Sequence, residues 1–314
     1  MNNHELIFMS KRLKFGVDFD YYVDYDTLRR LATEYEAAGL DSLWLMDHLI
    51  WELSGDAVLE CWTVLSALAE ATERIRLGTL VLCNNYRNPA LLAKMAATLD
   101  IISKGRLILG IGAGWKKNEY LAYGYEFPSP HVRIGQLREA VTIIKKMWTE
   151  DEPSFQGKYY HIEKAVCKPK PLQRPHPPIL IGGGGRRLLR LVAELADAYN
   201  GVFLTPASYA EKMEILRSDC GKLKRDFNSI EKTWLGPLLI GRNESELREK
   251  FRKMIGRWRS LQELRKVGIV GTPEDCLKKI QELMNAGVTH FIFTTRGLHD
   301  EIFKFLDEIR PQLV

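Results

Sequence analysis

Long apolar runs are missing from this chain. The longest, Leu77 to Cys83 and Arg106 to Gly112, are strand-sized and far short of the roughly 20 residues that a membrane-crossing helix needs. A water-soluble protein with no membrane partner is therefore expected. An excess of one charge is missing too: 45 Lys and Arg stand against 40 Asp and Glu, a net +5, which argues against a nucleic-acid partner. The five cysteines (Cys61, Cys83, Cys167, Cys220 and Cys276) are widely spaced and never form Cys-x-x-Cys, so neither a disulfide framework nor a metal site is expected, and a reducing cytoplasm is the natural setting. Residues 1–14 lack the apolar core of a secretory signal. Met9, followed by Ser10 and Lys11, reads as an alternative start that would leave 1–8 as an extension.

Several catalytic signatures are also absent: no P-loop, no His-Glu-x-x-His and no Gly-x-Ser-x-Gly. Gly110-Ile111-Gly112-Ala113-Gly114 begins like a dinucleotide fingerprint, but Trp115 stands where the pattern fails. Gly182-Gly183-Gly184-Gly185 fails the same spacing at Arg187.

What is present is an ordinary globular composition, 46% hydrophobic and 27% charged, with ample core to bury. Strand-like runs at Lys14–Phe19, Ser42–Met46, Ile75–Leu82, Leu107–Ile111, Ile179–Ile181, Ala198–Phe203, Trp234–Ile240 and Val288–Thr294 alternate with helical spacing. The helical stretches are Leu28–Tyr35, Glu60–Ala71, Pro89–Ile102, Val132–Trp148, Leu188–Ala196, Glu244–Trp258 and the segment from Thr272 to Asn285. Such alternation predicts a parallel sheet with helices outside it, and eight units favour a (β/α)8 TIM barrel, in the α/β class, over an open doubly wound sheet. Residues 9–314 then form a single domain. Its insertions, at about 115–131, 149–177 and 255–271, are expected at the C-terminal face of the strands.

Asp47-His48 ends the second strand, on the face where barrel active sites gather. The histidine either exchanges protons near neutral pH, with Asp47 setting its tautomer or touching a cofactor edge, or merely caps the strand. Gly182 to Gly185, placed between a strand and a helix that starts with Arg186 and Arg187, suits a phosphate held by backbone N–H groups and a helix dipole. A tight turn beside two solvated arginines is the alternative. Phe19, Tyr21, Tyr22, Trp51, Trp62, Trp115, Tyr120 and Tyr123 could wall a pocket for a planar ring, or simply pack. His131, His161, His176, His290 and His299 read as surface or supporting groups. Arg257, Arg259, Arg265 and Lys266 read as a solvated helix face or an attractor for an anionic substrate.

The block Leu77-Gly78-Thr79, Asn88 to Lys94, Ala96 to Asp100, Ser103, Gly105-Arg106-Leu107 and Leu109 to Trp115, with Pro169-Lys170-Pro171, Pro177-Pro178-Ile179, the glycine run, Ala193 and Ala196-Asp197, resembles the bacterial luciferase-like family. Within it, the chain resembles the branch of deazaflavin (coenzyme F420)-dependent oxidoreductases. That resemblance implies His48 as the catalytic proton donor or acceptor beside the cofactor ring and Asp47 as its cofactor-binding neighbour. It also implies a non-prolyl cis peptide at Leu80-Val81 behind the ring, backbone contacts from Ala113 and Gly114, and a cofactor phosphate on Gly182, Gly183, Gly184 and Gly185. The sugar-phosphate dehydrogenases of the branch carry a catalytic Glu where this chain has Trp115. Glu119 is the nearest carboxylate, either substituting for it or playing a structural part.

The implied function is hydride transfer between F420 and a small organic substrate by a homodimer. An FMN-dependent monooxygenase using oxygen and a non-catalytic flavin-binding protein are the alternatives.

Overall fold

The computed structural model describes residues 12–19, 24–51, 57–254 and 258–313. The 1–8 extension, Met9, Tyr21, Tyr22 and Arg257 lie outside the described residues. Eight strands form the barrel: β1 (Lys14–Asp18), β2 (Ser42–Leu45), β3 (Arg76–Thr79), β4 (Leu107–Gly112), β5 (Ile179–Gly182), β6 (Ala198–Val202), β7 (Glu231–Ile240) and β8 (His290–Thr294). Each pairs in parallel with the next in order, and β8 pairs back onto β1 with Lys14 opposite His290. The ring is closed, as the strand–helix alternation predicts.

Local chemistry explains where the helices begin. The helices α1 (Tyr25–Ala37), α2 (Cys61–Ala71), α3 (Pro89–Ile102), α4 (Pro130–Thr149), α5 (Arg186–Leu195), α6 (Pro206–Lys222) and α7 (Pro273–Asn285) alternate with the strands. Four of them share one entry: Asn88, Ser129, Thr205 or Thr272 caps the first turn with its side chain while proline occupies the first helical position. The α6 helix is the one that the hydropathy pattern leaves unassigned, although Thr205-Pro206 carries this same signature.

The insertions contain structure of their own. Lys117–Ala122 is a short helix inside 115–131, and Leu261–Val267 is another followed by Ile269–Gly271, which extends the sheet beside β7. The 149–177 segment leaves α4, forms a hairpin of Phe155–Gln156 with His161–Ile162, and returns by way of Gln173 to Asp100. Its Tyr160 hydroxyl accepts a hydrogen bond from Asn84, beyond the end of β3.

Alternate strand residues fill the barrel interior, where Trp44, Ile108, Leu180, Ala198, Leu235 and Ile292 pack with Leu80. The outward residues join the larger core beneath the helices. At the amino-terminal end, a polar network forms the floor. The Trp44 indole donates to Ser42 Oγ, which lies 2.8 Å from His290 Nε2. His290 Nδ1 lies 3.5 Å from Glu231 Oε1, and Lys14 Nζ donates to that oxygen at 2.7 Å. His290 is thus a buried residue at the start of the last strand, not a surface or end-of-strand group.

Burial alone would raise the Glu231 carboxyl, but His290 and Lys14 outweigh it and hold the group well below its ordinary value of 4.5. A depressed folded value contributes stability that is fully present above pH 4.5 and is lost as pH falls through the folded value. Glu231→Gln is therefore expected to lower stability at pH 7 by about 1–3 kcal/mol and to flatten the acid limb. Urea unfolding from pH 7 down to pH 3 measures both, and an acid limb as steep as that of wild type would rule this role out.

Candidate active site

Closure brings the carboxyl-terminal ends of all eight strands to one mouth. There β2 delivers Asp47 and His48, β3 delivers Leu80 and Val81, β4 delivers Ala113 to Trp115, and β5 delivers Gly182 to Gly185.

His48 is nearly buried, and its Nδ1 lies 2.8 Å from Glu119 Oε1. Glu119 comes from the short helix over Lys117–Ala122, and its carboxylate also accepts from the Tyr86 hydroxyl at 3.0 Å and lies 3.2 Å from Lys116 Nζ. Burial by itself would raise this carboxyl. The hydrogen bond and charge of His48, with Lys116 and Tyr86, outweigh burial and hold it below the ordinary carboxylate value. An ionised Glu119 can only accept, so the histidine proton is assigned to Nδ1. Two indoles flank the ring, Trp51 at 4.4 Å and Trp115 edge-on at 5.7 Å between centroids.

Asp47 does not set that tautomer. Its carboxylate accepts from both Arg87 Nη groups, at 2.7 and 3.0 Å, and from the Cys83 N–H at 2.8 Å. Arg87 continues to Glu60. The two acids have separate duties because Asp47 points back along the β3 side while Glu119 reaches over from the loop after β4.

The Leu80-Val81 peptide is cis, as the resemblance implies. Val81 packs onto the barrel-interior cluster, and the glycines of the neighbouring strands make room for it. A Cβ on Gly112 would stand 2.8 Å from Val81 Cγ2, and one on Gly182 would stand 3.0 Å from Cγ1. The failed dinucleotide spacing thus has a packing reason. Gly114, at φ +72°, turns beneath Tyr120, whose hydroxyl a Cβ would meet at 2.0 Å.

Gly185 caps α5 without a side chain, and a Cβ there would meet nothing within 4 Å. Lys212 Cε lies 3.8 Å from where a Cβ on Gly184 would be. Open backbone, a helix start and a cation together form a cradle suited to phosphate. Lys212 is a partner that sequence reading missed, because it lies in the unassigned α6. Arg187 is engaged by His131, with Nη1 2.8 Å from Nδ1.

The aromatic candidates divide. Trp51 and Trp115 stand against His48, whereas Phe19, Trp62 and Tyr120 are buried packing and Tyr123 is exposed. Among the described residues, no group of three or more His, Cys, Asp or Glu side chains could hold a metal ion, and no helix is long and apolar enough to cross a membrane.

The sequence profile of the luciferase-like monooxygenases matches residues 12–290. The chain belongs to that family. An F420-dependent glucose-6-phosphate dehydrogenase of Amycolatopsis mediterranei (strain U-32) is 27% identical, with 90% of this chain and 92% of the relative aligned. An FMNH(2)-dependent dimethylsulfone monooxygenase of Pseudomonas putida is 33% identical over 56% of this chain and 48% of its own. A solved F420-dependent secondary alcohol dehydrogenase, in complex with an F420-acetone adduct, superposes with a TM-score of 0.85 at 21% identity over 96% of this chain and 99% of its own. At that identity the likeness concerns the luciferase-like fold alone.

Of the site residues, the sequence pointed to His48, the glycines and the cis position. The pairing of Glu119 with His48 was out of its reach, because a six-residue helix is too short to show a periodicity. Removing Arg87 strands a carboxylate that is only 1% exposed. Arg87→Ala is expected to cost about 3 kcal/mol, and adding Asp47→Asn should restore part of it. Equal urea midpoints for wild type and Arg87→Ala would contradict this assignment.

Proposed function

We propose that this protein is an F420-dependent oxidoreductase, a dehydrogenase or reductase of a small organic substrate. The observation that carries the reading is the buried His48–Glu119 pair, set in a mouth that also presents Val81 on its cis peptide and the open glycine cradle. The names of the relatives aligned over most of the chain support the same cofactor.

The residues present fit such a group. Gly182 to Gly185, the start of α5 and Lys212 suit its phosphate. Val81 would back its ring, and the Ala113-Gly114 main chain would line its edge. Asp47 contributes through its main chain, since its carboxylate is engaged by Arg87. When bound, F420 supplies a ring carbon that gives or receives two electrons with a hydrogen.

His48 handles the accompanying proton: Nε2 takes it from a substrate hydroxyl in oxidation or returns it to a carbonyl in reduction. Glu119 holds the ring in place through the Nδ1 hydrogen bond. Trp51 and Trp115, packed on the imidazole, restrict water around it. Trp115 stands where the sugar-phosphate enzymes carry their acid, which weighs against a sugar phosphate as substrate unless Glu119 takes that part. The working unit in this reading is a cytoplasmic homodimer that engages neither nucleic acid nor membrane.

Fluorescence titration of the full-length protein with F420 and with FMN tests the reading. Binding of F420 with FMN excluded is expected, and preference for reduced FMN with oxygen consumption would overturn it in favour of a monooxygenase. His48→Ala is expected to lower turnover by about 10²- to 10⁴-fold while F420 affinity is retained. Glu119→Gln should lower it less, by about 10-fold, because the amide oxygen still accepts from Nδ1–H. Unchanged turnover in His48→Ala would remove the proton role.

A further inference from the structure

Arg296 follows the last strand of the barrel, is only 7% exposed, and holds φ +52°, a conformation that a bulky side chain seldom adopts. Its Nε is buried with no hydrogen-bond partner, and no carboxylate among the described residues pairs with it. A guanidinium cannot shed its charge, so burial without a counter-ion is unfavourable. Of the other two buried arginines among the described residues, Arg106 donates to five main-chain and side-chain oxygens of Ala69, Thr72, Ile75 and Ser103. Arg133 also has an Nε without a partner, but it donates through Nη1 to the Pro128 carbonyl and lies over Phe127. The half-buried Arg87 is paired with Asp47 and Glu60.

The surroundings give Arg296 a direction. Its Cζ lies 5.5 Å from the centre of the Trp258 ring, and Trp258 meets Phe203 edge-on at 5.5 Å. Phe203 packs on the barrel-interior cluster that also receives Val81, so Arg296, Trp258 and Phe203 belong to the same mouth as the cofactor bulge. The contact with Trp258 is a cation–π contact that uses no N–H donor, so the unpartnered Nε–H remains for an oxygen acceptor. The cofactor's phosphate is not that partner. Its cradle follows β5, which neighbours β4 and β6, whereas Arg296 follows β8, which neighbours β7 and β1.

We infer that Arg296 receives an oxyanion of the substrate, a carboxylate or a phosphate, and so sets the substrate class of this enzyme. The inference builds on the F420 reading for the word substrate, but the anion site stands on Arg296 itself. An edge-on guanidinium forms paired N–H···O bonds with a planar carboxylate or with two phosphate oxygens. This places the anionic group on the β8 side of the mouth, across from the phosphate cradle.

The test uses the full chain and three probes: benzoate, inorganic phosphate and F420. Benzoate and phosphate are titrated by calorimetry against wild type, Arg296→Gln and Arg296→Lys, with and without saturating F420. Arg296→Gln should weaken one oxyanion by about tenfold or more, and F420 affinity should stay within about twofold. Loss confined to benzoate assigns a carboxylate, and loss confined to phosphate assigns a phosphate monoester. Arg296→Lys should retain phosphate better than benzoate, because an ammonium cannot form the paired bonds.

The melting temperature of Arg296→Gln should match or exceed that of wild type, since the charge removed is buried with no carboxylate partner among the described residues. A drop of several degrees would make Arg296 a structural residue and overturn the inference. So would unchanged affinity for both oxyanions, no binding of either by wild type, or loss of F420 binding in the variant. Wild type that binds benzoate or phosphate through Arg296 but never binds F420 would refute the cofactor reading alone.

Discussion

The pairing of β8 back onto β1 is the constraint on which the rest of the molecule depends. Lys14 to Val17 align with His290 to Phe293, and that register brings residues more than two hundred positions apart into one floor and one mouth. At the floor it sets Lys14, Ser42, Glu231 and His290 in contact. At the mouth it sets His48, Val81, Gly182 and Arg296 on a common rim. An open sheet of the same strands would leave β1 and β8 as unpaired edges, and the glycine run and Arg296 would share no cavity.

Inside the ring, space is allotted by pairs of large and absent side chains. Val81 occupies the volume that Gly112 and Gly182 leave open. Close packing makes this reciprocal: the strand glycines have meaning only because a side chain from β3 turns into them, and Val81 holds its place only because they are glycine. A mouth built this way is closely packed behind Val81.

Charge at the mouth follows a similar division of labour. Asp47 and Glu119 are both buried carboxylates, yet one is neutralised by Arg87 and the other by His48 with Lys116. The first pair holds strand ends and helix start together. The second ties the His48 imidazole at the end of β2 to the loop after β4. Arg296 departs from this pattern: its Nε is buried without a hydrogen-bond partner, and among the described residues no carboxylate pairs with it.

Much of this was legible in the residues themselves. Apolar runs of strand length, helical spacing and the Asn/Ser/Thr-Pro entries specify an alternating α/β chain, because backbone propensity and capping act over a few residues. The family block around Leu77 to Trp115 anticipated the cis Leu80-Val81 peptide. Local signals could not say that Glu119, rather than the adjacent Asp47, would hold His48. Nor could they say that Lys212 from the unassigned α6 would stand over Gly184, or that Arg296 Nε would be buried without a hydrogen-bond partner. Those facts depend on which side chains meet across the closed ring, a matter of three-dimensional register and packing that no stretch of neighbouring residues encodes. The sequence by itself determined the order of elements and the residues capable of chemistry. The tertiary structure decided which of them act together, because hydrogen bonds and ion pairs form only between groups that folding brings within about 3 Å.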